Sequence, residues 1–438
     1  MADSTATEGA NAPTAPVLEV TIGGRVPKFR QIVIIALITA AFSMVWFAAV
    51  RFLTTTFWDN SLVTANRWMV PGLVLLFTFI VGLCGKYLHA PNFIRESIKE
   101  ELTGGGRPDY STFPGALLTS FFSLISGASV GPEGPLTTLV AQIAEWLGEK
   151  LKLTEQTMSG FVFAGLASAL NGLVGSPLFC ALLATELEKG DNEGALQFLA
   201  WNLAAGAIGY IFFALIGFPA FASSIAFTPI NTLTPGYSLL AGVLGIVGVL
   251  LALFIGISFQ AIGRMMDRIF RDRFIERIMV GGVIIAIVAY FLPELMFSGE
   301  SQIHPIVANP AAYGVLVLLA FAVLKVLLLA LSLKSGYLGG PIFPTLFAAT
   351  MVALALSLLF PSVPVSLFFT CIVAATIALA LDAPLAAILL TVVVATSSTY
   401  EVGYIALATA VALILGGAIK RRMTQRAARQ SGSAEQLT

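Results

Sequence analysis

Apolar runs follow one another along the chain from about residue 32 to residue 419, with short polar stretches between them. Several approach or exceed the roughly 20 residues that a helix needs to cross the hydrocarbon core of a bilayer. Apolar residues within a run are continuous rather than alternating, which disfavours a membrane β-barrel. The pattern therefore predicts an all-α polytopic membrane protein. Clear examples of these runs are 31–50, 72–85, 242–259, 315–331 and 405–419.

Basic side chains lie beside the first and the last apolar run, which is typical of cytoplasmic segment ends. We therefore expect both termini in the cytoplasm, and the protein in the cell (plasma or inner) membrane. Residues 1–26 are polar and predict a disordered tail, and residues 423–438 predict a short second tail. The flanking basic residues are Arg25, Lys28, Arg30, Lys420, Arg421, Arg422 and Arg426.

A third basic segment lies past the middle of the chain. Residues 263–277, "GRMMDRIFRDRFIER", contain five arginines and three acidic residues. This composition indicates a basic amphipathic linker at the membrane surface. We interpret it as the boundary between a first membrane half, residues 27–262, and a second membrane half, residues 278–422.

Composition supports the membrane assignment and excludes several other classes. The chain is 57% hydrophobic and only 11% charged, which is too little charge to cover the surface of a soluble protein of this size. Its net charge is zero, so no nucleic-acid partner is indicated. The three cysteines lie in apolar segments without metal-ligand spacing, so neither a metal nor a cofactor is predicted.

The two halves contain related sequence motifs. "SGASVGPEGP" (126–135) aligns without a gap on "SGYLGGPIFP" (335–344), and both follow the pattern S-G-x-x-x-G-P-x-x-P. Further along, "GSPLFCALLATEL" begins at Gly175 and "DAPLAAILLTVVV" begins at Asp382. Chance alignment of the glycines and prolines common in membrane helices is the alternative. Matched spacing favours two structural repeats, often inverted in transporters, with a site near the midplane of the membrane.

Each Gly-Pro motif precedes an apolar run and is expected to open a helix. Proline suits the first helical turn, and glycine lets the backbone approach an ion closely. The first N–H groups of a helix have no internal acceptor and, with the helix dipole, attract anions. Two such helix starts, one from each half, would form one anion site. The predicted backbone anion-binding residues are Gly131, Pro132, Gly134, Gly340, Pro341, Ile342 and Phe343.

Glu133 is the single acidic residue in the first motif, and Ile342 occupies the matching place in the second. A carboxylate at a helix start resembles a bound anion, and protonation removes that resemblance. Ionisable residues within a membrane span are functional candidates by default. The alternative is a glutamate that only pairs with the helix dipole.

In these two motifs the sequence resembles the CLC family of chloride channels and proton-coupled anion exchangers. "GPEGP" (131–135) resembles the family motif G-[RK]-E-G-P, and "GGPIFP" (339–344) resembles G-G-x-F-x-P with its Phe displaced by one position. The resemblance implies a fold of two inverted repeats built from tilted, partly broken helices. It also implies a homodimer with one anion pathway per subunit, and a gating role for Glu133.

The chain departs from this family at three places. If Pro91 matches the proline of the family's G-S-G-I-P motif, the place of the anion-coordinating serine is taken by Leu88. The family's coordinating tyrosine has no match near the C-terminus. Aligning "SPLFCALLATELE" (176–188) places Leu187 where family exchangers have a proton-relaying glutamate, with Glu186 one residue earlier.

Leu187 in place of the relaying glutamate favours a passive, voltage-gated chloride channel-like protein, with chloride or another small anion as its substrate. The alternative is a proton-coupled exchanger of chloride or fluoride, in which Glu186 would belong to a proton path. A solvated charge at a helix end is the other interpretation of Glu186.

Lys325 stands alone in the apolar segment "FAVLKVLLLAL" (321–331). It would either raise the electrostatic potential along an anion path or pair with helix-end carbonyl groups. A membrane-embedded enzyme is a more distant hypothesis, because the sequence offers no convincing catalytic partner for Glu133. A cation-coupled transporter would need several buried acids, and only Glu133 is clearly embedded.

Overall fold

The computed structural model describes residues 28–88, 109–187 and 195–435, apart from 223, 226 and 272. The described residues form seventeen α-helices and three short 3-10 turns. Nine of the helices in these ranges are long and apolar enough to cross a membrane. The predicted all-α polytopic architecture is confirmed. The predicted tail at residues 1–26 lies outside the described residues.

The first half begins with a long apolar helix and ends with a loop that leads to residue 234. Its helices are α1 (Phe29–Trp58), α2 (Ser61–Ala65), α3 (Met69–Tyr87), α4 (Phe113–Ile125), α5 (Glu133–Lys150), α6 (Glu155–Ala169), α7 (Asn171–Val174), α8 (Pro177–Leu187) and α9 (Ala195–Ile216).

The second half contains eight helices, several of which differ in length from their counterparts in the first half. Its helices are α10 (Pro235–Phe270), α11 (Phe274–Phe291), α12 (Glu300–Ala308), α13 (Gly314–Ser335), α14 (Ile342–Leu359), α15 (Val365–Leu381), α16 (Pro384–Ala395) and α17 (Thr399–Glu435). The 36 residues of α10 span about 54 Å, well beyond a hydrocarbon core of about 30 Å, so this helix must tilt or extend beyond it.

Helix packing follows the repeat that the motifs predict. In the first half α1 packs against α6 and α9, and in the second half α10 packs against α15 and α17. Two helices also pack against their own counterparts, α3 against α11 and α8 against α16. An axis that relates the halves must pass between such pairs. The best-matched pair is α5 and α14, each of 18 residues, which begin directly after the two Gly-Pro motifs.

The basic segment 263–277 comprises the last two turns of α10, the residues around Arg271 and the first turn of α11. Arg271 adopts a φ of 43°, and the chain turns there between the two helices. The buried Arg277 guanidinium donates to Asp267 Oδ1 at 2.6 Å and to the Lys334 carbonyl at 2.6 Å. The contact with Lys334 joins the segment to the end of α13, immediately before the second motif, and the contact with Asp267 joins the two helices within the segment. The division used for the helices falls before α10, at residue 234, and therefore differs from the sequence prediction of a boundary at residues 263–277, which stays a prediction.

Candidate functional site

The two Gly-Pro motifs meet inside the protein. Gly131 N–H donates to the Gly340 carbonyl at 2.8 Å, and Gly340 N–H donates back to the Gly131 carbonyl at 2.8 Å. These two glycines are equivalent in the alignment of the motifs. Antiparallel pairing of a residue with its own counterpart is what a two-fold relation between the halves requires.

Two serine hydroxyls extend this pairing symmetrically. Ser129 N–H donates to Ser332 Oγ at 3.2 Å, and Leu338 N–H donates to Ser123 Oγ at 3.0 Å. Ser129 aligns with Leu338, and Ser123 aligns with Ser332, so the two bonds are repeat equivalents. Each motif is therefore fixed to the helix that precedes the other motif, and the two loops form one unit.

A glycine in the left-handed region ends the helix before each motif. Gly127 adopts a φ of 84° after α4, and Gly336 adopts a φ of 118° after α13. Glycine reaches this region without the steric cost of a side chain, so it commonly terminates helices. Both chains can thus leave their helices sharply and enter the paired loops.

Prolines decide which N–H groups remain free at the starts of α5 and α14. The first intrahelical bonds run from Leu136 N–H to the Pro132 carbonyl and from Thr345 N–H to the Pro341 carbonyl. Proline occupies the position before each of these donors and has no N–H. The donors left over are therefore the backbone N–H groups of four residues. They are Glu133, Gly134, Ile342 and Phe343.

The Glu133 carboxylate lies among these donors. Its side chain starts on α5, is 1% exposed, and its Oε1 accepts a short hydrogen bond from Ile342 N–H at the start of α14. Oε2 accepts no hydrogen bond from any described residue. An acidic side chain of the first repeat thus occupies the helix start of the second repeat.

Glycine is needed around this carboxylate because the backbones approach closely. A Cβ on Gly134 would lie 2.5 Å from the Gly339 carbonyl oxygen and 3.0 Å from Gly340 N. A Cβ on Gly340 would collide with the Glu133 side chain itself. These glycines let α5, the second motif and the carboxylate share a space that admits no further side-chain atom.

The predicted anion-binding residues all lie in the two paired motifs or at the starts of α5 and α14. They differ in whether each has an N–H group that could bind an anion. Gly131 and Gly340 use their N–H groups to pair with each other, and Pro132 and Pro341 have no N–H to offer. Gly134, Ile342 and Phe343 keep N–H groups at the helix starts. Anion binding by these residues stays a prediction.

Glu186 lies at the end of α8, where its carboxylate meets the start of α16. Oε1 accepts from Leu385 N–H at 2.9 Å, and Oε2 accepts from Ala386 N–H at 2.8 Å. A carboxylate that accepts the first N–H groups of a helix caps that helix. This capping contact joins the two repeats. A part for Glu186 in a proton path stays a prediction.

Lys325 is fully buried in the middle of α13. Its ammonium donates to the carbonyls of Leu295, Met296 and Phe297 at 3.0, 3.3 and 2.7 Å. These contacts agree with the interpretation of a lysine paired with carbonyl groups. An electrostatic effect on an anion path stays a prediction.

The family's anion-coordinating serine and tyrosine have no established counterparts in this chain, and the two positions are considered in turn. Leu88 follows α3, and the residues beyond it up to 108 lie outside the described part of the chain. Tyr404 is buried and its hydroxyl accepts from Thr234 N–H at 2.8 Å and donates to the Thr232 carbonyl at 3.2 Å. Tyr404 therefore fastens the loop before α10 to α17.

The paired serines Ser123 and Ser332 were not singled out by sequence reasoning. The signal for them is an extension of the motif, because "SLIS" and "SLKS" precede the two glycines in the same register. The complete shared pattern is S-L-x-S-G-x-x-x-G-P-x-x-P. Across the described ranges, no three His, Cys, Asp or Glu side chains are grouped so as to hold a metal ion.

Comparison with known sequences shows relatives among ion-transport proteins. YfeO of Escherichia coli O1:K1, assigned by name to ion transport, is 28% identical over 275 residues, which cover 62% of this chain and 64% of YfeO. YfeO of Escherichia fergusonii aligns with the same identity and coverage. The alignment thus spans less than two thirds of the length of these relatives.

Comparison with solved structures shows the same fold in two antiporters. A slow cyanobacterial chloride/proton antiporter matches with a TM-score of 0.76 and 21% identity, over 89% of this chain and 94% of its own. A CLC-type fluoride/proton antiporter matches with a TM-score of 0.71 and 19% identity, over 92% and 97%. Residues 77–417 match the family model described as voltage gated chloride channel. This chain belongs to the voltage-gated chloride channel (CLC) family.

Proposed function

We propose that this protein carries small anions, chloride among them, across the membrane, and that the Glu133 carboxylate gates their path. The observation that carries the proposal is the hydrogen bond from Ile342 N–H, at the start of α14, to this carboxylate. Free N–H groups at a helix start are a general anion site. A side-chain anion already bound there must leave before a solute anion can take its place.

The chemistry of a carboxyl group supplies the switch. As a carboxylate, Glu133 accepts the hydrogen bond from Ile342 N–H and competes with an external anion. Once protonated, it has lost its charge and with it most of its attraction to these donors. Protonation of Glu133 and binding of an anion therefore both favour departure of the side chain from the helix start. Anion passage should for this reason depend on pH.

We favour a passive channel over an exchanger, for a reason that concerns Glu186. The place expected for a proton-relaying acid holds Leu187, and the neighbouring Glu186 caps α16 with both of its oxygens. A proton-coupled exchanger of chloride or fluoride is the second candidate. It is favoured by the presence of a protonatable group inside the anion site itself.

Flux measurements on purified protein in liposomes test this function. Vesicles loaded with the potassium salt of chloride, fluoride or nitrate, made permeable to potassium with valinomycin and diluted into a buffer whose only anions are impermeant, should lose at least one of these anions faster than protein-free vesicles. Absence of flux for all three would contradict the proposal. Proton uptake driven by an outward chloride gradient would identify an exchanger instead of a channel.

Glu186→Gln separates the capping role from a proton path. Glutamine keeps one oxygen acceptor for the start of α16 but loses the charge and the second acceptor, so we expect a loss of stability of about 0.5–2 kcal/mol. Thermal unfolding should show this loss, while the pH dependence of anion flux stays that of the unmodified protein. A changed proton-to-anion ratio in Glu186→Gln would instead place Glu186 on a proton path.

Three further features accompany the proposal. The protein is proposed to form a homodimer with one anion pathway per subunit. It is proposed to reside in the cell membrane with both termini in the cytoplasm. Lys325 is proposed to raise the electrostatic potential along the anion path.

A further inference from the structure

Lys325 is a buried cation to which the proposed gating by Glu133 assigns no role. An ammonium group has three N–H donors, and the three carbonyls of Leu295, Met296 and Phe297 provide one acceptor for each. The charge is therefore solvated by the backbone of a single turn. Because three successive carbonyls converge on one cation, the shape of that turn depends on the lysine.

The turn between α11 and α12 has a backbone that needs support. Phe297 adopts a φ of 54°, a region that residues with a side chain rarely occupy. Two residues later Gly299 adopts a φ of 91°. Lys325 lies on α13, a different element, and holds the carbonyl of Phe297 at 2.7 Å. The lysine thus stabilises a conformation that the local sequence alone disfavours.

This turn contacts the start of the first motif. Phe297 N–H donates to the Gly127 carbonyl at 3.1 Å. The Trp58 ring packs edge-on against the Phe297 ring, with centroids 5.3 Å apart, and Trp58 Nε1 donates to the Ile125 carbonyl at 2.8 Å. Two carbonyls at the end of α4, just before the paired loops, are therefore fixed by the turn and by the tryptophan beside it.

Lys325 also contacts the helix that opens with the second motif. Its Nζ lies 5.0 Å from the centroid of the Phe347 ring, in cation–π geometry. Phe347 lies one helical turn beyond Phe343 on α14, and it is fully buried. The same ammonium therefore touches α14 on one side and the support of the first motif on the other.

We propose that Lys325 is a positioning residue for the anion site, which holds the 295–297 turn and, through it, Gly127 and the first motif in register with α14. The inference rests on the proposed anion transport. Its consequence is that loss of the ammonium displaces the donors at the two helix starts relative to each other. A binding site needs its donors held within about 0.5 Å of the productive geometry, so we expect the displacement to weaken anion binding.

Lys325→Met tests this role because it keeps an unbranched apolar chain out to Cε and removes the ammonium. Initial rates of chloride, fluoride and nitrate flux in liposomes are measured against anion concentration. We expect the half-saturating concentration to rise on the order of tenfold, with the maximal rate changed far less. Lys325→Arg, which keeps a charged group with several donors, should recover most of the affinity.

A second pair of variants keeps the test decisive if Lys325→Met does not fold. Trp58→Phe retains a ring against Phe297 but loses the hydrogen bond to the Ile125 carbonyl, and should raise the half-saturating concentration severalfold. Trp46→Phe is the matched control, because Trp46 is buried and its Nε1 has no acceptor among the described residues.

The outcomes separate the two proposals. If the unmodified protein carries none of the three anions, the proposed function fails. If it carries an anion but Trp58→Phe equals Trp46→Phe, or a folded Lys325→Met keeps the original half-saturating concentration, only the positioning role is overturned.

Discussion

Replacement of Glu133 by alanine is expected to remove the pH dependence of anion flux and to raise the flux at neutral pH. In the unmodified protein the ionised carboxylate occupies the helix start, so flux should be low at high pH and increase as protons neutralise the group. On the ionised side of this titration, each pH unit lowers the competent fraction, and with it the apparent anion affinity, about tenfold. Flux assays in liposomes between about pH 4 and pH 8 measure this dependence.

Glu401→Gln provides the control for loss of a buried carboxylate. Glu401 is 1% exposed at the start of α17 and accepts from Ser398 N–H at 2.9 Å and from Ile230 N–H at 3.2 Å, and neither donor belongs to the two motifs. This variant should retain the pH dependence of the unmodified protein. A Glu133→Ala protein whose flux still rises on acidification would show that another group is the gate.

Gly134→Ala is expected to cause the largest loss of anion flux among single-methyl changes. The added Cβ would lie 2.5 Å from the Gly339 carbonyl oxygen, so α5 and the second motif must separate. Such overpacking costs about 1–3 kcal/mol, and the same energy lost from the site would weaken anion binding roughly 5- to 150-fold. Thermal unfolding and concentration-dependent flux measure the two effects.

Gly256→Ala is the matched control, because a Cβ at this position of α10 meets no atom within 4 Å. Alanine favours helix more than glycine does, so this variant should be at least as stable as the unmodified protein. If Gly134→Ala carried anions as well as Gly256→Ala, close approach of the two motifs would not be needed for transport.

The fold could be predicted from the sequence because two features that determine it, the apolar runs and the repeated Gly-Pro motif, are visible along the chain. Continuous apolar runs predict membrane helices, and the gapless match of two Gly-Pro motifs predicts two related halves. The bond between Gly131 and Gly340 pairs the same residues that the alignment pairs. Helix starts after the motifs followed from proline and glycine chemistry, and α5 and α14 do begin there.

The details of the site depend on contacts between distant residues, which no local pattern specifies. Glu186 caps a helix some 200 residues away, and the carbonyls held by Lys325 come from a turn about 30 residues earlier. The structure was also needed to identify the free N–H groups of the motifs, because the N–H groups of Gly131 and Gly340 donate to each other's carbonyls. Sequence reasoning named the motif residues but could not assign these partners.

Anion affinity measured against pH tests most directly whether Glu133 and the anion compete for one place. Isothermal titration of purified protein with chloride, fluoride and nitrate, repeated with Glu133→Gln, gives this affinity without a flux step. In the unmodified protein the affinity should fall as the pH rises, approaching tenfold per pH unit, while Glu133→Gln should bind with one affinity throughout. The same decline with pH in both proteins would contradict competition by Glu133.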